Sequence, residues 1–288
     1  MGKPLDKYLR LKQKEKNYPP LLREIPDPPL QIYLKGKIPD NKRKAVAIVG
    51  TRKATGYGLK TARELARDLA SQGIIIVSGL ALGIDAEAHK GALEAGGLTL
   101  AVLGSGINKI YPATNQPLAK KIIDQGGALI SEFEPDHPPE KWTFPQRNRI
   151  VAGLCQMTVV VEAPERSGAL ITAYLALEYN REVGAIPGEI TSVNSRGTNE
   201  LIKKGAALVR NADDVLEILG LNVKDEKFDK LDKIEKIILQ CLQSPKDKES
   251  LVGLTRLPPE ILNQKLTLLE LKGVVKNSGG QWHTKFNF

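Results

Sequence analysis

The stretch AVAIVGTRKATGYGLKTARELARDLASQGIIIVSG, residues 45–79, decides the fold. It opens on Ala45–Val49, a run with no polar alternation, and closes on a second such run, Gly73–Ser78. Runs that are apolar on both faces are the pattern of buried parallel strands. Between them Leu59, Ala62, Leu65, Ala66 and Leu69 recur at helical spacing, which predicts an amphipathic helix over about 57–72. A strand, a crossover helix and a parallel strand is the repeating unit of an α/β sheet.

The same rhythm continues to about residue 210, through LTLAVL (98–103), ALISEF (128–133), MTVVVEA (157–163), EVGAIP (182–187) and AALV (206–209). It predicts a doubly wound, mostly parallel, Rossmann-like sheet over residues 45–220. Residues 1–44 form a charged, proline-punctuated lead-in. Its first 17 residues read as poorly ordered or frayed helix, and the rest as an extended segment against the next domain. A charged linker is expected at 221–228. Residues 229–288 then read as helices near 229–243, 246–253 and 259–272, followed by a hairpin in GVVKNSGGQWHTKF. That is the outline of a small winged-helix domain, or of a plain three-helix domain with an incidental hairpin.

Charge does not locate a site by itself. The net charge is +9, but residues 1–44 hold 12 Lys and Arg against 5 Asp and Glu, while residues 45–220 hold 18 against 19. Only a local cluster of cations inside the nearly neutral region would mark nucleic-acid binding. No apolar run approaches the roughly 18–20 residues that span a bilayer, and the first residues are too charged for a secretory signal. A cytoplasmic protein without a membrane partner is expected. Cys155 and Cys241 sit in apolar helical patterns and read as reduced core residues. The three histidines lie at no metal-ligand spacing, and Walker A, dinucleotide and nucleophile-elbow sequences are absent. No catalytic residue, metal or cofactor is expected.

Four strands end in small-residue loops: GTRKATGYG (50–58), SGLALGID (78–85), GSGINKIYP (104–112) and APERSGALIT (163–172). In an open parallel sheet such loops share the carboxyl edge, where ligands bind at the point of strand-order reversal. Glycines allow backbone N–H groups close to a ligand, and helix N-termini favour phosphate. A further segment, WTFPQRNRIVAGLC (142–155), enters that edge and starts a helix with Arg147 and Arg149 around Asn148. Cations are poorly placed at the positive end of a helix dipole, so an anion is expected nearby. Arg52, Lys109, Arg147, Arg149 and Arg166 together predict a cationic patch. Tyr57, Tyr111, Trp142 and Phe144 lie close by as base-stacking, core or rim residues. Asp85 reads as a helix N-cap and His89 as a packing or capping residue.

In order, IVGTR, SGLALGIDAEAH, AVLGSGINKIYPATN, GGALISEF, FPQRNRIVAGL, VVVEAPERSGALITA and GTNELIKKGA closely resemble the DNA-processing protein A (DprA/Smf) family. The resemblance covers roughly residues 18–288. It implies a Rossmann-like core that binds single-stranded DNA without catalysis, a homodimer, and loading of the RecA recombinase onto incoming strands in natural transformation. On matching positions it places Gly50, Thr51 and Arg52 in the first DNA-contacting loop, Ser78 and Gly79 in the second and Gly104 in the third. Arg147, Asn148 and Arg149 fall in the FPxRNR motif, and Ser167 and Gly168 in the loop after the fifth strand. Leu82 departs from the pattern, standing where members carry a cation. The competing reading on the same scaffold is a nucleotide-binding protein or nucleoside-monophosphate N-glycosidic hydrolase. That chemistry needs a positioned carboxylate, with Asp85, Glu132, Glu134 and Glu162 as candidates, but the P-G-G-x-G-T-x-x-E motif of those enzymes is missing.

Overall fold

The computed structural model describes residues 8–39, 43–221, 231–242 and 244–284. The chain divides into two units, Met1–Asn222 and Val223–Phe288. In the first, the elements are β1 (Leu9–Lys12), α1 (Pro20–Arg23), β2 (Gln31–Gly36), β3 (Ala45–Val49), α2 (Gly56–Ser71), β4 (Ile75–Ser78), α3 (Ile84–Glu94) and β5 (Thr99–Val102). There follow α4 (Gln116–Asp124), β6 (Ala128–Ser131), α5 (Thr143–Gly153), β7 (Met157–Val160), α6 (Gly168–Glu178), β8 (Glu182–Ala185), α7 (Arg196–Lys203), β9 (Ala207–Leu208) and α8 (Ala212–Ile218).

The nine strands among the described residues of this unit join one sheet in the order β1-β2-β6-β5-β4-β3-β7-β8-β9. From β6 to β9 every pairing is parallel, so the α/β, mostly parallel fold expected from the sequence is the fold observed. The chain winds outward from β3 to β6, then returns to lay β7 against the free side of β3. The winding direction therefore reverses between β3 and β7, which is where an open sheet forms its ligand crevice.

Alternation along β3 shows why both faces are apolar. Val46 and Ile48 pack with Ala62, Leu65, Ala66 and Leu69 of α2. Ala45, Ala47 and Val49 pack on the other face with Ile150 and Val151 of α5 and Ala169 and Ala173 of α6. Burying Leu69 completely contributes about 1.5–3 kcal/mol, and truncating it to Ala would cost about 2–5 kcal/mol with the cavity included. The helix starts where Thr55 Oγ1 accepts the Gly58 N–H at 3.2 Å. Just beyond its end, Gly73 takes φ +81°, a left-handed conformation that favours glycine.

The lead-in departs from its sequence reading. Leu9–Lys12, inside the span read as poorly ordered or frayed helix, is an edge strand antiparallel to β2. β2 in turn pairs antiparallel with β6. Ile32 and Leu34 are buried, and Tyr18 and Leu22 are fully so, making this segment part of the first unit's core.

The linker expected at 221–228 falls, beyond Leu221, outside the described residues. In the second unit α9 (Lys233–Cys241), α10 (Lys248–Thr255) and α11 (Pro259–Leu271) precede a hairpin of β10 (Val275–Ser278) and β11 (Gln281–Thr284). Ile238, Leu239, Leu251, Leu266, Leu269 and Trp282 form its own core. Cys155 and Cys241 are both free, the first buried and the second half-buried. Among the described residues no helix is long and apolar enough to cross a membrane.

Candidate nucleic-acid interface

A cleft of about 640 Å³ opens at the carboxyl ends of β3 and β7. Its walls come from the loop after β3, the loop after β4, the start of α5 and the N-terminus of α6. Of the residues singled out in the sequence, Gly50, Thr51, Arg52, Gly79, Arg147, Asn148, Arg166, Ser167 and Gly168 line it. Lys141, Tyr111, Phe144 and Asp85 line it as well. Phe144 opens the FPxRNR motif, and Lys141, three residues before it, was readable as a cation just ahead of residues 142–155.

Arg52 is exposed, and its guanidinium lies 5.1 Å from the centroid of the Phe144 ring. Tyr111 also lies against Phe144, its ring tilted and its centroid 5.6 Å away. Among the described residues Arg52, Lys141 and Arg166 take part in no ion pair. Ser167 caps α6 by accepting the Ala169 N–H at 3.3 Å. Next to it the Gly168 Cα faces open space, and the Gly168 carbonyl accepts the Asn148 side-chain amide at 3.2 Å. Three unpaired cations, a ring pair and an accessible helix N-terminus therefore face one crevice.

Arg147 behaves differently. It is 4% exposed; its Nη1 donates to the Gly79 carbonyl at 2.6 Å and to that of Val102. Its Nε donates to Asn148 Oδ1 at 3.2 Å. A Cβ at Gly79 would lie 2.5 Å from the guanidinium, so a side chain there would displace Arg147 from its seat. Asp85 completes the arrangement, accepting the N–H groups of Gly79 at 3.1 Å and Ala81 at 3.4 Å. Burial lowers the Arg147 pKa to about 10, against the pull of Asp85, so the side chain still carries its charge at neutral pH. Burial raises the Asp85 carboxyl, against the pull of Arg147. The Arg147 guanidinium near the helix start is thus met inside the chain, by the Gly79 and Val102 carbonyls it bonds and, short of an ion pair, by the field of the nearby Asp85 carboxyl. Asp85 also departs from its expected role: it lies inside α3, whose N-cap is Gly83.

Four candidates lie outside the cleft lining. Arg149 bonds Glu132 at 2.5 Å and lies 3.3 Å from Asp27 of the lead-in. It is nearly buried and fastens the lead-in to α5. Ser78 is sealed in the sheet, donating to the Ile48 carbonyl at 2.7 Å. Gly104 lies beneath the Phe144 ring, with room for no Cβ. Lys109 is exposed on its loop but contributes nothing to the lining. Of the other rings, Trp142 packs edge-on against Phe133 at 5.6 Å and bonds Glu140, and Tyr57 donates to the Pro187 carbonyl at 3.1 Å.

The four carboxylates that could have served a hydrolase are all engaged. Asp85 and Glu132 are held as above, and Glu134 accepts the Tyr33 hydroxyl at 2.7 Å. Glu162 accepts both the backbone N–H and the hydroxyl of Thr55, at 2.9 and 2.5 Å. Its carboxylate therefore occupies the N-terminus of α2, where a dinucleotide-binding sheet would seat a phosphate.

Fold and cleft define an open α/β protein with a cationic crevice at its switch point. The model of the DNA recombination-mediator protein A family matches residues 10–220, and the chain belongs to that family. It is 46% identical over 202 residues to Protein Smf of Escherichia coli, covering 70% of this chain and 54% of that one. It is 42% identical over 205 residues to DNA processing protein DprA of Bacillus subtilis, covering 71% and 69%. The chain thus spans little more than half the length of the E. coli relative. The X-ray structure of Streptococcus pneumoniae DprA superposes with TM-score 0.68 at 41% identity, covering 74% of this chain and 75% of the other. A structure of DNA processing protein A from Helicobacter pylori, described for its single-stranded DNA binding mode, gives 0.65 at 34% identity, covering 74% and 95%.

Proposed function

We propose that the protein binds single-stranded DNA in the switch-point cleft and acts, without catalysis, as a cytoplasmic recombination mediator that loads RecA onto incoming strands in natural transformation. The observation that carries this reading is the set Arg52, Lys141 and Arg166, unpaired around the Tyr111–Phe144 ring pair. Cations hold the backbone, and rings accept any base by stacking. A cleft of this volume falls in the range of about 300–1,000 Å³ typical of small-ligand sites, which suits a nucleotide or two of a single strand rather than a duplex. RecA loading and transformation rest on family membership. Arg147 enters this reading as the post that holds the cleft loops, and Arg149 as an anchor outside it.

A homodimer is part of the same reading. On α6 the side chains of Ile171, Tyr174 and Leu177, three residues apart, are 42%, 47% and 51% exposed. This apolar stripe is a surface a second copy would cover, and Leu177→Glu should shift sedimentation toward the monomer.

The test of DNA binding is fluorescence anisotropy with single-stranded and duplex oligonucleotides at about 50 and 200 mM salt. Three phosphate contacts, at a single-strand slope near −0.7 each, give about a 20-fold loss of affinity across that range. Arg52→Ala with Arg166→Ala should weaken single-strand binding at least about 20-fold and flatten the slope by about 1.4. Binding unchanged in that variant would remove the cleft from the reading.

A further inference from the structure

A second pocket, of about 520 Å³, opens between the loops after β3 and β7 and the segment after β8. Thr51 and Arg52 line the cationic cleft, whereas Thr55 and Tyr57 line this pocket. The end of β7 divides in the same way, with Pro164 in the cleft and Glu162 in the pocket. Three residues span at most about 11 Å, so the two sites are neighbours on one sheet edge.

Their chemistry is opposite. Glu162 and Glu189 face the second pocket with Ser192 and Ser195, and among the described residues no cation lines it. Each Glu162 oxygen already accepts one bond from Thr55 and keeps capacity for another. Ser195 is 4% exposed, and its hydroxyl has no hydrogen-bond partner among the described residues. That hydroxyl lies over Gly188, where a Cβ would overlap it. Gly188 is held from behind by both ends of the Asn199 amide, at 3.0 and 3.2 Å. The hydroxyl opens on the pocket with its hydrogen-bonding capacity unspent, so it can meet an incoming partner. On its lining, Tyr57 is 53% exposed and offers a flat face.

We propose that this pocket receives one base of the strand whose backbone lies in the cationic cleft, and that it favours bases carrying an exocyclic amine. The proposal rests on the single-strand reading above. Two carboxylates repel phosphate and accept from an amine. Cytosine presents its N4 amine as a donor, where thymine presents the O4 acceptor. Stacking on Tyr57 adds contact without selecting between the two pyrimidines.

The test is anisotropy of the full chain with oligo-dC and oligo-dT of equal length. The expected result is oligo-dC binding about tenfold tighter. Glu189→Gln with Ser195→Ala, one exposed and the other unpartnered, should bring the ratio to one or below while leaving oligo-dT affinity within about twofold. Equal affinities in the unaltered protein, or a preference for oligo-dC that survives both substitutions, would overturn the proposal. Failure of the single-strand reading would look different: neither oligonucleotide would bind, or Arg52→Ala would weaken neither.

Discussion

Arg52, Lys141 and Arg166 have no carboxylate at ion-pair distance among the described residues, whereas the cations of α11 each hold one. Lys265 reaches Asp232, and Lys272, at the C-cap, lies 2.7 Å from Glu235. Asp232 and Glu235 are themselves the capping box of α9, so these lysines tie the third helix of the second unit to the first. What remains exposed on α11 includes Ile261, Leu268 and Leu271, a surface suited to protein contact rather than to phosphate. The difference teaches that cations mark a nucleic-acid site by being uncommitted, not by being numerous. Arg147 and Arg149 make the same point inside the larger unit.

The largest effect should come from Arg147. If its guanidinium serves the cleft as a post, Arg147→Ala leaves the Gly79 and Val102 carbonyls without this donor and Asp85 without the nearby positive charge. Each buried group left unmatched costs about 1–3 kcal/mol, read as a lower urea midpoint for the larger unit. Arg147→Lys should recover little, since a single ammonium cannot match the guanidinium that bonds Gly79 and Val102 while spanning to Asn148. Unchanged stability with lost DNA binding would break the distinction and make Arg147 a direct contact.

His89 gives the next effect, and it too separates the units. Its Nδ1 lies 2.7 Å from Thr99 Oγ1, whose hydrogen goes to the Ile76 carbonyl. Nδ1 must therefore donate, leaving Nε2 bare, and Nε2 is buried without a partner. Burial, helped by the charge of Arg147, lowers the pKa from 6.5 to about 3. The unfolded chain then binds a proton that the folded one refuses between those values. Stability should be full above pH 6.5 and fall as pH drops toward 3, by on the order of 4 kcal/mol. His89→Leu should flatten that part of the larger unit's pH profile, and a profile unchanged by the substitution would mean the imidazole is protonated in place.

The core of the sheet was legible because buried parallel strands leave continuous apolar runs such as MTVVV and AVAIV. β1 was not. LRLK is an edge strand with Leu9 60% exposed, and only its pairing with β2 makes it extended. At the site, the strand-end glycines with Arg52 and Arg166 were readable because parallel topology brings those loops to one edge. The two arginines of FPQRNR were read alike, although residues two apart on a helix point in nearly opposite directions. That geometry was available in the sequence; that both arginines would be buried, each on different partners, depended on Gly79 and Glu132, both distant along the chain. The pairing of Lys265 and Lys272 was invisible for the same reason, since α9 and α11 meet only once the unit is folded.

The smallest effect is the one that tests the contrast most directly. Lys272→Ala leaves Glu235, 2% exposed, with the Asp232 N–H at 2.9 Å but without its cation, which should cost the second unit about 1 kcal/mol. Lys265→Ala removes a more exposed pair worth about 0–1 kcal/mol. Neither lysine is available to a phosphate, so the double variant should change single-strand and duplex affinity by less than about twofold and leave the salt slope where it was. The slope is the sharper readout, because each lost phosphate contact would shift it by about 0.7 for a single strand and 0.9 for a duplex. A shift of that size would show that Lys265 or Lys272 leaves its carboxylate for DNA, and the two sets of cations would then differ in degree only.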